Sequence, residues 1–165
     1  MSKTNSETLV AYFSRTGEQY GVGVINEGNT SIVAKIIAEK TGADLFEIKV
    51  VDDNYPDTYS ALIQYAKKEK QENARPEIIG KVDNIKKYKN IFIGYPNWWG
   101  DMPMPVHTFI ENHKLTDKNI YNFCTHEGSG GIKSDDFAIY GHIAQTDKDL
   151  TERQISQWLK RLGFW

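Results

Sequence analysis

The sequence predicts one α/β domain over residues 1–165: a doubly wound parallel sheet of five strands in the order 2-1-3-4-5, with helices on both faces. Three observations lead there. Short apolar runs alternate with helix-periodic segments along the whole chain. Most of those runs are apolar, as in strands buried on both faces of a parallel sheet, while Asp44 to Val51 alternates. Three of them end in loops of unusual composition, and sheets of this kind bind ligands beyond the carboxyl ends of their strands, at the switch point.

Thr8 to Phe13 (TLVAYF) combines β-branched and aromatic residues and reads as the first buried strand. It stops in Ser14-Arg15-Thr16-Gly17, which is turn chemistry. A glycine-rich segment, Glu18 to Gly28, leads to Asn29-Thr30-Ser31, all good helix caps, and then to a helix with Ile32, Val33, Ile36 and Ile37 on one face. Gly42 closes that helix. Asp44 to Val51 reads as the second strand, Asp52 to Asp57 as a loop, and Thr58 to Gln71 as a helix with Leu62, Tyr65 and Ala66 inward. Pro76 ends this segment, Ile78, Ile79 and Val82 form a connector, and Ile85 to Tyr88 makes a turn of helix. The third strand begins at Ile91 and breaks at Pro96. Pro103 to Asn112 is helical, with Val106, Phe109 and Ile110 inward. Lys118 to Thr125 is the fourth strand. Ser134 to Tyr140 reads as a short helix, Gly141 to Gln145 as the last strand, and Asp149 to Leu162 as the final helix, with Leu150, Ile155, Trp158, Leu159 and Leu162 inward.

Composition excludes several function classes. A chain of 165 residues has room for a real core. Its net charge of −2 argues against a nucleic-acid binder relying on a basic surface. The single Cys124 rules out an intrachain disulfide and a cysteine metal cluster, and reads as a small buried hydrophobe. The amino terminus lacks a signal-peptide pattern, and no run approaches the roughly 20 apolar residues of a membrane span. The expectation is a cytoplasmic protein with no membrane association and no metal. Of its four histidines, His107 and His113 fall on different faces of one helix, so they do not form a ligand pair.

The chemistry concentrates in the loops 14–31, 96–104 and 125–131, whose preceding strands are neighbours in the expected order. The first offers hydroxyls at Ser14, Thr16 and Thr30, the Asn29 amide and a helix N-terminus, a combination that suits a phosphate. Plain N-capping by Asn29 or Thr30 is the simpler alternative. The second carries Pro96-Asn97-Trp98-Trp99-Gly100-Asp101. Two tryptophans at a strand end form one wall of a slot for a flat ligand or, equally well, anchor the loop on the core. The third, THEGSGG, lets backbone approach a ligand closely because glycine has no Cβ; a flexible surface loop would look the same. Together, phosphate at one end, an aromatic wall and close backbone fit a flat mononucleotide.

The segments LVAYFSRTGE…GNT, YPDTY, ARPEI, IGYPNWWGDMP and FCTHEGSG resemble flavodoxins, in particular flavodoxin-like proteins whose first loop is lengthened. The resemblance covers nearly the full chain. It implies a flavodoxin-like fold and non-covalently bound FMN. Ser14, Arg15, Thr16, Asn29 and Thr30 would hold the phosphate. Pro96, Asn97 and Trp98 would lie along the ribityl chain and ring, and Trp99 and Gly100 would flank the isoalloxazine. Thr125, His126, Glu127, Gly128, Ser129 and Gly130 would close over its pyrimidine side. The segment Glu18 to Gly28 departs from the short loop of ordinary flavodoxins, and the near-neutral charge departs from their acidic surface. Negative charge at Glu127 and Asp101 would lower the flavin's potential. One-electron transfer requires no catalytic acid or base, so no catalytic residue is assigned; His126 could donate a proton, but a lone loop histidine is more often structural.

The resemblance implies a low-potential electron-transfer protein with redox partner proteins. The alternative on the same architecture is an FMN-dependent NAD(P)H:quinone reductase, with a quinone as partner. Monomer or weak dimer is the expected state, with the exposed part of Trp98-Trp99 as a docking patch or dimer contact. Gly21-x-Gly23 lacks the third glycine and the strand-to-helix context of a dinucleotide fingerprint. A phosphate-accepting receiver domain would need an aspartate where Ile93-Gly94-Tyr95 stands, and a low-molecular-weight phosphatase a cysteine where Ser14 stands.

Overall fold

The first strand, β1 (Thr8–Tyr12), is buried at every position and occupies the inner part of the sheet. The computed structural model describes residues 7–19, 23–53, 55–56, 58–128, 130–131 and 136–164. In chain order, β1 is followed by β2 (Gly17–Gln19), β3 (Gly23–Ile25), α1 (Asn29–Thr41), β4 (Asp44–Glu47), α2 (Tyr59–Gln71), a 3-10 turn (Ile85–Lys87), β5 (Asn90–Pro96), α3 (Met104–Asn112), β6 (Asn119–His126), β7 (Phe137–Tyr140), α4 (Gly141–Thr146) and α5 (Lys148–Leu162). The main sheet runs β4-β1-β5-β6-β7 with every pairing parallel, which is the expected 2-1-3-4-5 order once the small hairpin is set aside.

The two-residue period of the strands sorts side chains between two cores. Leu9, Ala11, Phe13, Ile91, Ile93, Tyr95 and Cys124 face one side, where Leu62 of α2 and Val106 and Phe109 of α3 pack. Val10, Tyr12, Phe92, Phe123 and Ile139 face the other, against α1, α4 and α5. Gly94 faces this second side because nothing larger fits: a Cβ there would lie 2.1 Å from the Phe123 ring. Gly42 ends α1 at φ 74°, its N–H bonded to the Ala38 carbonyl.

Four expectations need correction. The last strand and the short helix are exchanged: Phe137–Tyr140 pairs with β6, and Gly141–Thr146 is helical. Phe-Ala-Ile-Tyr has strand propensity and buries Ile139, while the α4 N-terminus is held by the Glu127 carboxylate accepting the His142 N–H at 2.6 Å. The start of the expected helix at Ser134 lies outside the described residues. The glycine-rich segment also contains an antiparallel hairpin, Gly17–Gln19 with Gly23–Ile25, with Tyr20 and Gly21 outside the described residues. Gly23 therefore belongs to a strand and not to a phosphate-binding turn.

The second strand stops at Glu47. Beyond it the chain turns to pair antiparallel with the connector at Val50 and Ile78, through Val51 N–H to the Glu77 carbonyl (2.9 Å) and Ile79 N–H to the Lys49 carbonyl (2.7 Å). The cap of α1 is Gly28, which has no side chain to offer; Asn29, Thr30 and Ser31 are in the first turn. A side chain from elsewhere takes up the cap's task, as the site shows.

Candidate functional site

The carboxyl ends of β1, β5 and β6 are adjacent, and the loops that leave them are bonded to one another. Ser14, just past β1, accepts the Ser31 N–H of α1 on its hydroxyl at 3.1 Å. This satisfies one of the donors that a helix N-terminus leaves without an intrahelical partner. Gly28 lies against the same turn: a Cβ would come within 1.9 Å of Ser14 Oγ and 2.6 Å of the Arg15 carbonyl oxygen. Thr30 Oγ1 meets Thr125 Oγ1 at 2.8 Å, both residues buried, so the first and third loops share a hydrogen bond. Asn97 ties the second loop to the third. Its N–H donates to the Thr125 carbonyl (3.0 Å) and its Nδ2 to the Gly130 carbonyl (2.8 Å), while its Oδ1 accepts the Gly100 N–H (2.9 Å).

Residues 98–101 form a tight reversal. Trp98 and Asp101 exchange backbone hydrogen bonds of 3.0 and 3.1 Å across Trp99 and Gly100. Both central residues have positive φ, 57° and 72°, as a type I′ turn requires. For a tryptophan that backbone is uncommon and costs roughly 1–2 kcal/mol. The indole offsets the cost by donating Nε1–H to the Ile63 carbonyl of α2 at 2.7 Å. Trp98 serves both readings of the tandem pair. Its edge meets Phe13 (5.4 Å) and Tyr55 (5.6 Å), anchoring it on the core, and it also lines a cavity.

That cavity, about 340 Å³, lies between the second and third loops and α2. Asn29, Pro96, Asn97, Trp98, Trp99, Thr125, His126 and Glu127 border it, as do Tyr59, Leu62, Ile63 and Ala66 of α2. The volume is in the range of small-molecule sites, roughly 300–1,000 Å³. Gly128 and Gly130 both have positive φ, 120° and 77°, so the third loop's path depends on glycine; Ser129 between them lies outside the described residues.

Several side chains differ in setting from a simple ring of contacts. Arg15 turns away from the α1 N-terminus: its guanidinium bonds both Asp53 oxygens (3.0 and 3.1 Å) and sits 5.2 Å over the Tyr55 ring. Only its backbone faces Gly28. Thr16 is exposed and borders a second hollow beside Ser14 and Arg15. The Glu127 carboxylate is engaged by the His142 N–H and by His142 Nδ1 (2.7 Å), and Asp101 by the Met102 N–H (2.7 Å) and His107 Nε2 (3.1 Å). His126 Nδ1 accepts the Gly128 N–H at 2.9 Å, which leaves the ring proton on Nε2. Burial lowers this imidazole's pKa below its ordinary value, partly opposed by Glu127.

Sequence reasoning missed the α2 wall and the α4 contributions. Leu62 and Ala66 were legible only as inward-facing positions; nothing in a helical period says whether "inward" means core or cavity. Asn29 Oδ1 accepts from Gln145 Nε2 (2.7 Å), a contact over more than a hundred residues with no local signal. His113 is structural: its Nε2 accepts the Val82 N–H (3.0 Å) and its Nδ1 donates to the Phe109 carbonyl (2.8 Å). Among the described residues no group of three or more His, Cys, Asp or Glu could hold a metal ion, and no helix is long and apolar enough to cross a membrane.

Comparison with known proteins agrees with this geometry. A family model described as Flavodoxin matches residues 7–161. A crystal structure of a protein from Bacteroides eggerthii, provisionally described as a flavoprotein, is 30% identical, with a TM-score of 0.69 over 94% of this chain and 97% of that one. A similarly described protein from Bacteroides uniformis is 25% identical, with a TM-score of 0.67 over 94% and 98%. A flavoprotein from Lactobacillus acidophilus, solved in complex with FMN, is 25% identical, with a TM-score of 0.61 over 75% of this chain and 77% of that one. No curated protein matches the chain in sequence.

Proposed function

This chain belongs to the flavodoxin family, and on that premise we propose that it binds FMN non-covalently and acts as a low-potential electron-transfer protein. The observation that carries the reading is the bonding of three strand-end loops around one cavity, with a helix N-terminus at one side and a tandem tryptophan at another. A relative similar over three quarters of this chain was solved with FMN.

The residues fit that cofactor. The first-turn amides of α1, the Thr30 hydroxyl and the Ser14–Gly28 turn suit a phosphate, since helix N-termini favour anions. Gly28 keeps the turn close to the helix, as an added Cβ there would collide. Trp98, Trp99 and Tyr59 offer aromatic surface to a flat ring. Backbone near Thr125 to Gly130 can hydrogen-bond its polar edge, and α2 limits water from its side. When bound, the flavin supplies the electron storage; the protein supplies position and field. Glu127 beside the cavity disfavours added negative charge and lowers the potential, an effect moderated by His142.

The alternative reading, an FMN-dependent NAD(P)H:quinone reductase, is separated by kinetics. The carrier reading predicts that the FMN-loaded protein takes up electrons from dithionite in two distinct one-electron steps and does not turn over NADH or NADPH with a quinone. Sustained NAD(P)H:quinone turnover with a single two-electron step would overturn it in favour of the reductase.

A further inference from the structure

The cavity's outer edge carries a charge opposite to that of the whole chain. The net charge is −2, yet α2 presents Lys67 and Lys70 on its face beside Trp99 and Lys68 on the adjoining face, all exposed. Two of them are held at the tryptophan. Lys67 Nζ lies 5.2 Å over the indole ring, and Lys70 Nζ donates to the Trp99 carbonyl. The carboxylates closest to the cavity are engaged by neighbours, Asp101 by the Met102 N–H and His107, and Glu127 by His142. Glu69 turns inward, accepting the Tyr55 hydroxyl at 2.6 Å, and Glu111 pairs with Arg75 at 2.9 Å; Glu72 stands exposed at the end of α2. Trp99 itself is 44% exposed, on a backbone turn that is costly for its residue type. Large exposed aromatics flanked by charge are typical of recognition surfaces.

We propose that α2 and Trp99 form the docking face for a redox protein that presents carboxylates around its own electron-exchange site. The proposal rests on the flavin reading above and adds the partner's chemistry to it. Lys67, Lys68 and Lys70 supply the long-range attraction. Trp99, which borders both the cavity and the surface, supplies the contact through which partner and cofactor come near each other. An acidic partner is favoured by complementarity, which raises encounter rates and rejects like-charged surfaces.

The test uses nitrogen-15-labelled, FMN-loaded protein, titrated with oxidised cytochrome b5 as an acidic redox protein and with cytochrome c as a basic one. The expected result is that cytochrome b5 shifts the Trp99 indole N–H and the amides around Lys67 to Lys70. Its affinity should fall on the order of tenfold when ionic strength rises from about 0.02 to about 0.2 M. Reversing the charge with Lys67→Glu and Lys70→Glu abolishes the response. Lys68→Glu, which leaves both Trp99 contacts in place, weakens it. Shifts from cytochrome c at this face, shifts from cytochrome b5 elsewhere, or none at all would overturn the proposal. Equal shifts from inorganic pyrophosphate with none from cytochrome b5 would make this a small-anion site and also overturn it. Flavin retention, read from the visible spectrum of the same sample, keeps failure of the cofactor reading distinct from failure of the docking face.

Discussion

Gly28 shows how much of the site depends on a single missing atom. With Ser14 Oγ and the Arg15 carbonyl where a methyl group would go, Gly28→Ala forces the first loop away from α1. The fold has other anchors, so the expected outcome is a folded protein whose FMN affinity falls roughly tenfold to a hundredfold, the equivalent of about 1–3 kcal/mol of overpacking. Fluorescence titration with FMN measures it; unchanged affinity would mean that the phosphate lies elsewhere. Gly94→Ala is the contrasting case, with its clash against Phe123 in the core. It is expected to cost about 1–3 kcal/mol of stability, read as a lower midpoint in denaturant. The sequence marked both glycines only as members of glycine-bearing segments. What they touch comes from residues 14 and 29 positions away, beyond the reach of any local pattern. The residue types at Ser14, Thr30, Asn97 and the tandem tryptophan were legible because their chemistry is unusual at strand ends. The direction of a flexible side chain was not: Arg15 could be placed beside the site, but not its turn toward Asp53.

At the scale of elements, the bond between Thr30 of α1 and Thr125 of β6 joins two loops that sequence reasoning could only place near each other. Thr30→Val leaves the buried Thr125 hydroxyl without this partner and is expected to cost about 1–3 kcal/mol. Thr30→Val with Thr125→Val removes both hydroxyls and should cost less than the sum of the single changes, a double-mutant cycle in thermal or chemical unfolding. Additive costs would show that the pair is not coupled. Strong periodicity made α1, α2, α3 and α5 readable, and continuous apolar runs did the same for β1 and β5. The end of the sheet differs from the sequence expectation because Phe137–Tyr140 and Gly141–Thr146 are short elements whose identity is set by neighbours. β7 is defined by pairing with β6, and α4 by the Glu127 carboxylate at its start. The hairpin of β2 and β3 was invisible for the same reason: glycine-rich strands carry little propensity of their own.

At the scale of the whole molecule, several acids raised by burial, Tyr12, Tyr55, Tyr88 and Cys124 among them, act at the alkaline end. Burial, aided by Asp136, pushes the Cys124 thiol up to about 12, and burial with the Asp44 hydrogen bond pushes the Tyr88 hydroxyl up to about 12. Both are neutral in the folded state, whereas the unfolded chain ionises from about pH 9–10. Their contribution is therefore fully present below that range and is lost as pH rises toward 12. Urea unfolding should give decreasing stability above about pH 9, and Cys124→Ser should flatten part of the slope. Native Cys124 should resist alkylation at pH 8, because the thiolate is the reactive form. His126 acts at the other end. Its folded pKa is depressed, so its contribution is present above the unfolded value near 6.5 and is lost as pH falls below it.

The most direct test of the cofactor reading is the visible absorption spectrum of the purified protein after FMN is added and the excess washed away. Flavin bands are expected to remain at one FMN per chain and to be greatly weakened in Gly28→Ala. Loss of all flavin from the folded wild-type protein would contradict that reading, leaving Trp98 and Trp99 as loop anchors on an α/β fold that serves another purpose.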